Sequence, residues 1–451
     1  MAEKSEKNDL MEKIVSLCKR RGFIYQGSEI YGGLAGTWDY GPLGTTLKNN
    51  IKNIWWNMFV DMRDDMYGID AAILMNPKVW EASGHVAGFS DPLVECSNCK
   101  ARFREDHLLA EFGSKEKIAC PSCGKKGTMG EPRQFNMMFQ TQIGATEGSI
   151  SYLRPETAGG IFVNFKNVVD SFHPKLPFGI GQIGKAFRNE IAPRDFIFRV
   201  RELEQMEIEY FVRPSEWEGK FEEWRKAVHE FNKKVGIPEN SVHELEVGDG
   251  DRAHYSKRTI DFEFDFPFGR KELYGLAYRG EFDLSSHEKG SGQNLKYLPD
   301  GEEAFLPHVI EPSFGVDRTL LAVLSSAYTE DELGGETRSY LKFKPSVAPV
   351  KAAVFPLLKN KPELVAKARE VYTALKKEIP QIVWDDNGNI GKRYRRQDEI
   401  GTPWCITIDF DTLGENPELL DTVTLRHRDT GEQERVAVAD LANKLKKGIE
   451  A

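Results

Sequence analysis

The sequence is short of the features that mark secreted and membrane proteins. Across its 451 residues no run approaches the ~20 apolar residues that a membrane span needs. The first residues, Met1–Lys7, are polar and lack the apolar core of a secretion signal. Only six cysteines are present, which is too few for a disulfide framework in a chain of this length. We therefore expect a protein of a reducing compartment, the cytoplasm, that makes no contact with a membrane.

An excess of positive charge is also missing, because 61 basic residues stand against 70 acidic ones and the formal net charge is −9. This balance argues against a generally basic coat for nucleic acid, although it is compatible with a local basic face. With 40% hydrophobic and 29% charged residues, the composition is that of a folded globular protein. The length exceeds what one ordinary core supports and predicts two or three domains.

Several common catalytic signatures are absent as well. The sequence has no GxxxxGK[ST] phosphate loop and no GxGxxG that follows a strand, so two widespread modes of nucleotide binding lack support. It also has no GxSxG nucleophile turn and no HExxH zinc motif. Any chemistry must therefore depend on other groups.

Four of the cysteines form two C-x2-C pairs that are separated by twenty residues. Two such pairs can bring four thiolates into a tetrahedron around Zn²⁺. Because thiolate occupies all four positions, none stays open for water, and the pattern predicts a closed, structural zinc site. His107 lies between the pairs and is interpreted as scaffold. The predicted ligands are Cys96, Cys99, Cys120 and Cys123.

Periodicity divides the chain into a long first part and a shorter α/β tail. It predicts helices over Asp9–Arg21 and Thr45–Arg63, the second with large apolar residues that suit several neighbours or a second subunit. Alternation predicts a strand over Leu203–Phe211. After Lys342–Pro349, which resembles a linker, strands alternate with helices and predict a small α/β domain. One face of the predicted strand carries Leu203, Gln205, Glu207 and Glu209.

Arginines and glutamates are concentrated between Phe187 and Glu209, without an obvious nucleophile beside them. Guanidinium groups grip phosphate oxygens with two parallel hydrogen bonds, and carboxylates hold a cationic amine. The pattern fits a ligand that carries both phosphates and an amine. A surface ladder of salt bridges is the alternative that the residues alone leave open.

Three strings in the sequence resemble the motifs of the class II aminoacyl-tRNA synthetases. The helix Thr45–Arg63 followed by residues 73–77 (ILMNP) is similar to motif 1, and residues 187–190 (FRNE) with the loop to Arg199 are similar to motif 2. Residues 311–318 (EPSFGVDR) are similar to motif 3. The three strings occur in the order that this class shows.

Further strings resemble one family of that class, the homodimeric glycyl-tRNA synthetases. They are residues 78–85 (KVWEASGH), 153–158 (LRPETA) and 311–313 (EPS), and residues 348–354 (APVKAAV) resemble the start of the family's anticodon-binding domain. The resemblance covers nearly the whole chain. It implies a homodimer that uses ATP to attach glycine to the 3′ end of its tRNA through a glycyl-adenylate.

The resemblance also implies the fold, which is an α+β and α/β multidomain arrangement. A class II synthetase antiparallel sheet flanked by helices would occupy residues 1–341, with a zinc-ribbon-like insertion at 92–128. A linker at 342–349 would lead to a C-terminal α/β anticodon-binding domain at 350–451.

The implied ATP site combines phosphate-binding arginines with a backbone segment for adenine. Arg188 would hold the α-phosphate and Arg318 the γ-phosphate, and Glu272 would lie by the phosphates through Mg²⁺. Catalysis would rest on Arg188, Glu190 and Arg318. The implied ATP-binding residues are Arg188, Asn189, Glu190, Phe198, Arg199, Val200, Arg201, Glu202, Leu203, Glu272, Leu273, Gly315, Val316, Asp317 and Arg318.

The implied glycine site needs only acidic groups for the amine and a wall where a Cβ would go. Every competing amino acid is larger, so steric exclusion suffices and no editing domain is required. The basic run Lys392–Arg396 either contacts the tRNA or is a solvated helix face. The implied glycine-binding residues are Arg104, Glu156, Leu203, Glu204, Gln205, Met206, Glu207, Arg279, Glu311, Pro312 and Ser313.

Three positions depart from the family pattern. Gly159 replaces a usual Gln, Leu203 replaces an aromatic residue that would stack on adenine, and residues 278–283 (YRGEFD) differ from the usual Asn-Arg-Thr-Asp while keeping Arg279. The alternatives are a non-catalytic relative with a dead site, a zinc-ribbon DNA-binding protein and a class II synthetase for another amino acid. Retention of Arg188 and Arg318 argues against the first.

Overall fold

The N-terminal segment is built around the long helix that its large apolar residues predict. The computed structural model describes residues 2–144, 150–250, 252–253 and 255–450. The first elements are α1 (Ala2–Arg21), β1 (Ile24–Gln26), β2 (Trp38–Tyr40), α2 (Pro42–Trp56) and β3 (Met66–Gly68). Helix α2 begins at Pro42, because the fixed φ of proline suits the first helical position. A π-helical turn at Asn57–Asp61 continues it, so the helix starts before the predicted Thr45 and ends irregularly.

A small module of short strands carries the four cysteines. The next elements are α3 (Pro77–Ala82), α4 (His85–Gly88), β4 (Ser90–Glu95), β5 (Arg102–Arg104), α5 (Glu105–Phe112), β6 (Arg133–Asn136), β7 (Gln140–Gln142) and β8 (Ile150–Tyr152). Strand β4 pairs antiparallel with β5 and with β6, so this three-stranded sheet runs from Ser90 to Asn136. Val94, Leu108 and Ile118 form its own small core.

A seven-stranded sheet is the centre of the molecule. Its helices and remaining strands are α6 (Ala158–Phe172), β9 (Phe178–Phe187), β10 (Glu202–Val212), α7 (Trp217–Val235), β11 (Val242–Glu246), β12 (Arg258–Phe266), β13 (Gly269–Gly280), α8 (Phe282–Ser291), β14 (His308–Gly315) and α9 (Val316–Ala327). The strand order is β11-β12-β13-β14-β10-β9-β3, antiparallel except where β3 pairs parallel with β9. The string GIGQIG at 179–184 lies inside β9 and is therefore not a phosphate loop.

The two faces of this sheet are covered differently. On one face α2, α7 and α9 bury a large aromatic core that includes Trp55, Trp224 and Phe314. On the other face α6 and α8 cover one end of the strands, where Phe165 packs on Phe211. The other end of that face stays uncovered. Because side chains alternate along β10, its odd-numbered residues from position 203 to 207 face this uncovered area.

The C-terminal part is a smaller α/β unit, as the alternation of strands and helices predicts. Its elements, with the preceding hairpin, are β15 (Tyr328–Leu333), β16 (Glu336–Leu341), β17 (Ala352–Pro356), α10 (Pro362–Glu378), β18 (Ile382–Trp384), α11 (Ile390–Glu399), β19 (Trp404–Ile408), β20 (Thr422–His427), β21 (Gln433–Ala437) and α12 (Val438–Glu450). Five strands form one sheet in the order β18-β17-β19-β20-β21. Strand β17 pairs parallel with both neighbours, and the other pairs are antiparallel.

The stretch predicted as a linker, residues 342–349, is irregular but firmly packed. Phe343, Val347 and Ala348 are buried in the large core. Nδ2 of Asn50 donates to the carbonyl oxygens of Val347 and Ala348 at 3.0 and 3.1 Å. The two parts of the chain are therefore joined through buried contacts.

The basic run on α11 contains one buried arginine and two that form ion pairs at the surface. Arg393 is buried, and its guanidinium donates to the carbonyl oxygen of Gly388 at 2.7 Å. Arg395 pairs with Glu336, and Arg396 pairs with Asp385. The buried Arg393 therefore fits neither predicted alternative, a tRNA contact or a solvated face, and both stay open for the partly exposed members of the run. Within the described ranges, none of the helices combines the length and the apolar character that a membrane crossing demands.

Candidate active site

A cleft opens on the uncovered part of the sheet face. Its empty volume is about 1330 Å³, including the open mouth. Strands β10, β12, β13 and β14 supply its floor, and the loop between β9 and β10 closes one side. The predicted site residues that line it are Glu156, Arg188, Glu190, Phe198, Arg199, Val200, Leu203, Glu204, Gln205, Glu207, Glu272, Leu273, Glu311, Ser313, Gly315, Asp317 and Arg318.

At one end of the cleft, Glu207 is held by a full set of hydrogen-bond donors. Its carboxylate accepts from the backbone N–H of Thr157 at 3.0 Å and from the Thr157 hydroxyl. It also accepts from Oγ of Ser313 at 2.8 Å and from Nε2 of Gln205 at 2.7 Å. Burial, followed by repulsion from Glu156, raises the pKa of Glu207. The four donors oppose that shift, because they favour the ionised form and fix its orientation.

Glu156 and Glu311 complete this end of the cleft. Nε2 of His85 lies 3.3 Å from the carboxylate of Glu156, and against the effect of burial it lowers the pKa of Glu156 to about 2. Glu311 accepts a hydrogen bond of 2.9 Å from Arg279, which also grips Asp283 with two bonds of 2.7 Å. Burial raises the pKa of Glu311 to about 8 although Arg279 opposes the shift. We use the name acidic pocket for Glu156, Glu207 and Glu311.

Two arginines line the cleft outside the acidic pocket, and Arg188 lies next to that pocket. Arg318, at the start of α9, donates to the carbonyl oxygen of Glu272 at 3.0 Å and pairs with its carboxylate at 3.1 Å. Its guanidinium lies over the ring of Phe198, 4.5 Å from the centroid. Arg188 donates from Nε to the carbonyl oxygen of Pro155 at 3.0 Å. No described residue accepts a hydrogen bond from the terminal nitrogens of Arg188, so these donors are available to an anion. We use the name phosphate end for Arg188, Arg318 and Glu272.

The loop between β9 and β10 forms a third wall. The carboxylate of Glu190 lies 3.9 Å from Nη1 of Arg199, and its Oε2 is buried without a hydrogen-bond partner in the described part of the chain. Such an orphaned acceptor fits a ligand with an amino group, such as adenine. Arg201 braces this loop by donating to the carbonyl oxygen of Glu190 at 3.1 Å. The side chain of Leu203 lines the cleft beside it.

Some of the predicted site residues do not line the cleft. Met206 alternates onto the opposite face of β10 and is buried in the aromatic core, as Val316 is. Glu202 pairs with Lys185 at 2.7 Å, and Arg104 binds Asp91 and Asp106. The full set is Arg104, Asn189, Arg201, Glu202, Met206, Arg279, Pro312 and Val316.

Glu204 and Asp317 border the cleft, but their carboxylates are occupied. Nζ of Lys48 lies 2.9 Å from Glu204 and 3.4 Å from Asp317. Oδ2 of Asp317 also accepts from the backbone N–H of Glu204 at 2.8 Å. These residues therefore tie β10 to α2 and α9 rather than facing a ligand.

The cleft also contains residues that sequence reasoning did not identify. Asp261 of β12 lies in it, and burial followed by repulsion from Glu272 raises the pKa of Asp261 to about 7. The ring of Tyr255 lies over the guanidinium of Arg279, 3.7 Å from the centroid. The alternation of acidic and aromatic residues at 261–266 (DFEFDF) was a signal for Asp261, whereas Tyr255 follows no periodic pattern. The other unforeseen lining residues are Ile197, Val247, Arg252, Ala253, Thr259, Tyr274, Gly275 and Ala277.

The four cysteines come together in the insertion. Sγ of Cys96 lies 3.8 Å from that of Cys123, and Sγ of Cys99 lies 3.6 Å from that of Cys120. All four sulfurs lie within 4.8 Å of one another. Zn–S bonds of about 2.3 Å in a tetrahedron place sulfurs about 3.8 Å apart, so the set fits zinc. The separations are too long for a disulfide, whose S–S bond is about 2.05 Å.

Comparison with known proteins first defines the class. Residues 139–327 match the family described as "tRNA synthetase class II core domain (G, H, P, S and T)", and residues 351–448 match the family described as "Anticodon binding domain". The first range holds most of the seven-stranded sheet with the cleft, and the second holds the C-terminal sheet. The fold is therefore that of a class II aminoacyl-tRNA synthetase core joined to an anticodon-binding domain.

Relatives that match over their whole length define the family. The chain is 48% identical over 448 residues to the glycine–tRNA ligase of Treponema denticola, covering 97% of each chain. It is 49% identical to that of Caldanaerobacter subterraneus subsp. tengcongensis, over 95% of this chain and 96% of the relative. It is 50% identical to that of Clostridium kluyveri, over 98% of each. The chain belongs to the glycine–tRNA ligase family, which confirms the resemblance seen in the sequence.

Proposed function

We propose that the chain attaches glycine to its tRNA in two steps. In the first step a carboxylate oxygen of glycine attacks the α-phosphorus of ATP in line, and pyrophosphate leaves. In the second step a terminal ribose hydroxyl of the tRNA attacks the carbonyl carbon of the glycyl-adenylate, and AMP leaves with the bonding electrons. The observation that carries the proposal is one cleft holding the acidic pocket and the phosphate end, because these two ends match an amine and a triphosphate.

Neither step requires a nucleophile from the protein, so the residues act by positioning and by stabilising charge. Arg188, whose terminal nitrogens have no described acceptor, would bind the α-phosphate where negative charge builds up. Arg318 would bind the γ-phosphate and hold the leaving pyrophosphate. Glu190 would accept from the adenine amino group through its orphaned oxygen.

The acidic pocket would bind the ammonium group of glycine. Its three carboxylates are preorganised by Thr157, Ser313, His85 and Arg279, so little reordering accompanies binding. Any other amino acid would have to place a side chain against this packed floor. Selection against larger amino acids is then steric.

Class II synthetases use ATP with Mg²⁺, and the carboxylates at the phosphate end fit a hard cation. Glu272 and Asp261 are the residues that would hold the ion, because both are oxygen donors in the cleft. Mg²⁺ bound there would neutralise charge on the phosphates. Burial, followed by repulsion from Glu272 and Glu263, raises the pKa of Asp261 although Arg318 opposes the shift, so a further cation there would stabilise the ionised form.

We extend the proposal to the remaining features of the molecule. The four cysteines would hold a structural zinc ion, and reduced thiolates fit a protein acting in the cytoplasm. The functional units would be residues 1–341 with the insertion at 92–128, the linker at 342–349 and the anticodon-binding domain at 350–451. A homodimer is supported by the motif 1 resemblance and by large apolar side chains of α2 and the following turn, such as Met62, which is 75% exposed.

Exchange of pyrophosphate into ATP, assayed separately with each of the twenty amino acids, tests the reaction. We expect exchange with glycine alone. Activation of alanine or serine at a comparable rate would refute the amino-acid assignment.

Metal analysis should find about one zinc per chain, and a fully active, zinc-free preparation would remove the metal from the proposal. Sedimentation as a monomer at micromolar concentration would refute the dimer.

A further inference from the structure

Glu209 is a buried glutamate for which the proposed reaction has no role. It lies on β10 two residues beyond Glu207, on the same face of the strand, and its side chain is 0% exposed. It does not line the cleft. In the β10–β14 register Glu207 opposes Ser313 and Tyr210 opposes Ile310, so Glu209 directly opposes Glu311. Side chains at opposing positions have Cβ atoms about 5 Å apart.

Within the part of the chain that the structure describes, neither carboxylate oxygen of Glu209 has a hydrogen-bond partner. Glu207, in contrast, accepts four hydrogen bonds. A buried carboxylate ion with no donor is strongly unfavourable. A neutral carboxylic acid at the same place costs much less, because it has no net charge and its proton can be donated to a neighbouring acceptor.

The groups packed around Glu209 leave no cation for it. The guanidinium of Arg279 on β13 is already bound to Asp283 and Glu311. From β9 the opposing residue is Ile180, which is apolar, and burial lowers the pKa of His287 on α8. The remaining charged neighbours on β10, β14 and α8 are Glu207, Glu311 and Asp283. Burial first, and then repulsion from Glu311, raises the pKa of Glu209 well above its ordinary value, although the attraction of Arg279 opposes the shift.

We propose that Glu209 is a positioning residue that stays protonated and donates its O–H to the carboxylate of Glu311, the member of the acidic pocket that it opposes. This hydrogen bond stabilises the ionised form of Glu311 and turns its free oxygen toward the amine of the substrate. Glu209 itself touches no ligand. The proposal rests on the proposed function, since it assigns Glu311 to the ammonium group of glycine.

Two substitutions separate a proton donor from a charge. Glu209→Gln keeps a donor of the same shape, as a protonated glutamate does, and Glu209→Met removes the donor while keeping the volume. The assay is glycine-dependent exchange of pyrophosphate into ATP by the full-length protein, with the KM for glycine measured from about pH 6 to about pH 9. Glu207→Gln serves as the matched control for the amine site.

Glu209→Gln should leave the KM for glycine within about twofold at every pH. Glu209→Met should raise this KM about tenfold at neutral pH and move the midpoint of its pH profile up by about one unit, because Glu311 loses its donor. The KM for ATP should stay unchanged in both variants. Equal increases in both variants would show that Glu209 acts as a charge, and an unshifted profile in Glu209→Met would show that it does not support Glu311. Either result overturns the proposal.

A measurement without a change in activity covers the case in which Glu209→Met fails to fold. Above the titration of Glu311, the infrared difference spectrum of wild type minus Glu209→Gln should contain one carboxylic acid C=O band. Absence of that band overturns the proposal. Failure of the proposed function has a separate signature, which is a normal KM for glycine in Glu207→Gln.

Discussion

The acidic pocket and the phosphate end of the cleft are built in opposite ways. In the acidic pocket the charged groups are buried and already hydrogen-bonded, since Glu207 alone accepts four bonds. At the phosphate end Arg188 uses one of its nitrogens on a carbonyl oxygen, and Arg318 is 25% exposed beside a half-exposed Glu272. The acidic pocket is preorganised, whereas the phosphate end contains donors that no described residue uses.

The size of the two ligand parts explains the difference. An ammonium group is small and must be recognised without a side chain, so its site gains from rigid, dry carboxylates whose burial is offset by fixed donors. A triphosphate is large and strongly charged, and it brings its own cations. Half-buried arginines can bind it at a smaller desolvation cost than fully buried groups would incur. The two ends should therefore respond differently to mutation and to pH.

The largest effect is expected from Arg188→Ala. Removing the donor that we propose for the α-phosphate should lower the kcat/KM for glycine-dependent exchange about a thousandfold, as the loss of a charge-stabilising donor does in other enzymes. Rapid-quench or filter-based exchange assays measure this. Arg270→Ala is the matched control, because Arg270 pairs with Asp265 at the surface. Near-normal exchange by Arg188→Ala would show that the phosphate end lies elsewhere.

A smaller, glycine-specific effect is expected from Glu207→Gln. The amide loses the negative charge and places an NH2 group against donors from Thr157 or Ser313, so the KM for glycine should rise about a hundredfold. The KM for ATP should change little, because the phosphate end is untouched. Glu302→Gln, in a surface pair with Arg213, is the control. A parallel rise in both KM values would mean that the two ends are not separate.

The KM for glycine and the KM for Mg-ATP should each change about tenfold with pH, but over different pH ranges. Burial raises the pKa of Glu311 to about 8, and in its proposed role Glu311 would hold an amine only when ionised, so the KM for glycine should fall about tenfold as the pH rises from 7 to 9. Burial raises the pKa of Asp261 to about 7, so the KM for Mg-ATP should fall as the pH rises from about 6 to about 8. This window lies below the one expected for glycine. Steady-state exchange kinetics across this range measure both. Coincident profiles would contradict the assignment of one group to each end.

Residues whose position follows from a local pattern were predictable. The spacing of the cysteines predicted their meeting, and the alternation over Leu203–Phe211 predicted that Glu207 and Leu203 share a face. The strings around Arg188 and Arg318 placed both arginines in one site through the resemblance. In each case the signal lies within a few residues of the group concerned.

Residues whose role depends on packing between distant segments were not predictable. Met206 was assigned to the glycine site with its neighbours, but the pleat turns it into the core. The meeting of Asp261 with Glu272 requires the β12–β13 pairing, which contains a bulge between Phe262 and Glu263. A Cβ at Gly159, where the family pattern has Gln, would lie 2.9 Å from the ring of Trp80. Such contacts have no signature along the chain.

The smallest expected effect concerns Leu203, where the family resemblance predicts an aromatic residue that stacks on adenine. Its side chain lines the cleft near Phe198 and Val200. Leu203→Phe would add a stacking surface worth about 1 kcal/mol, so the KM for ATP should fall about threefold to fivefold. The KM for glycine should not change, because the acidic pocket lies at the other end. Leu203→Ala is the matched control and should raise the KM for ATP instead. An unchanged KM for ATP in both variants would mean that adenine does not lie against this strand, and the third wall of the cleft would need another ligand.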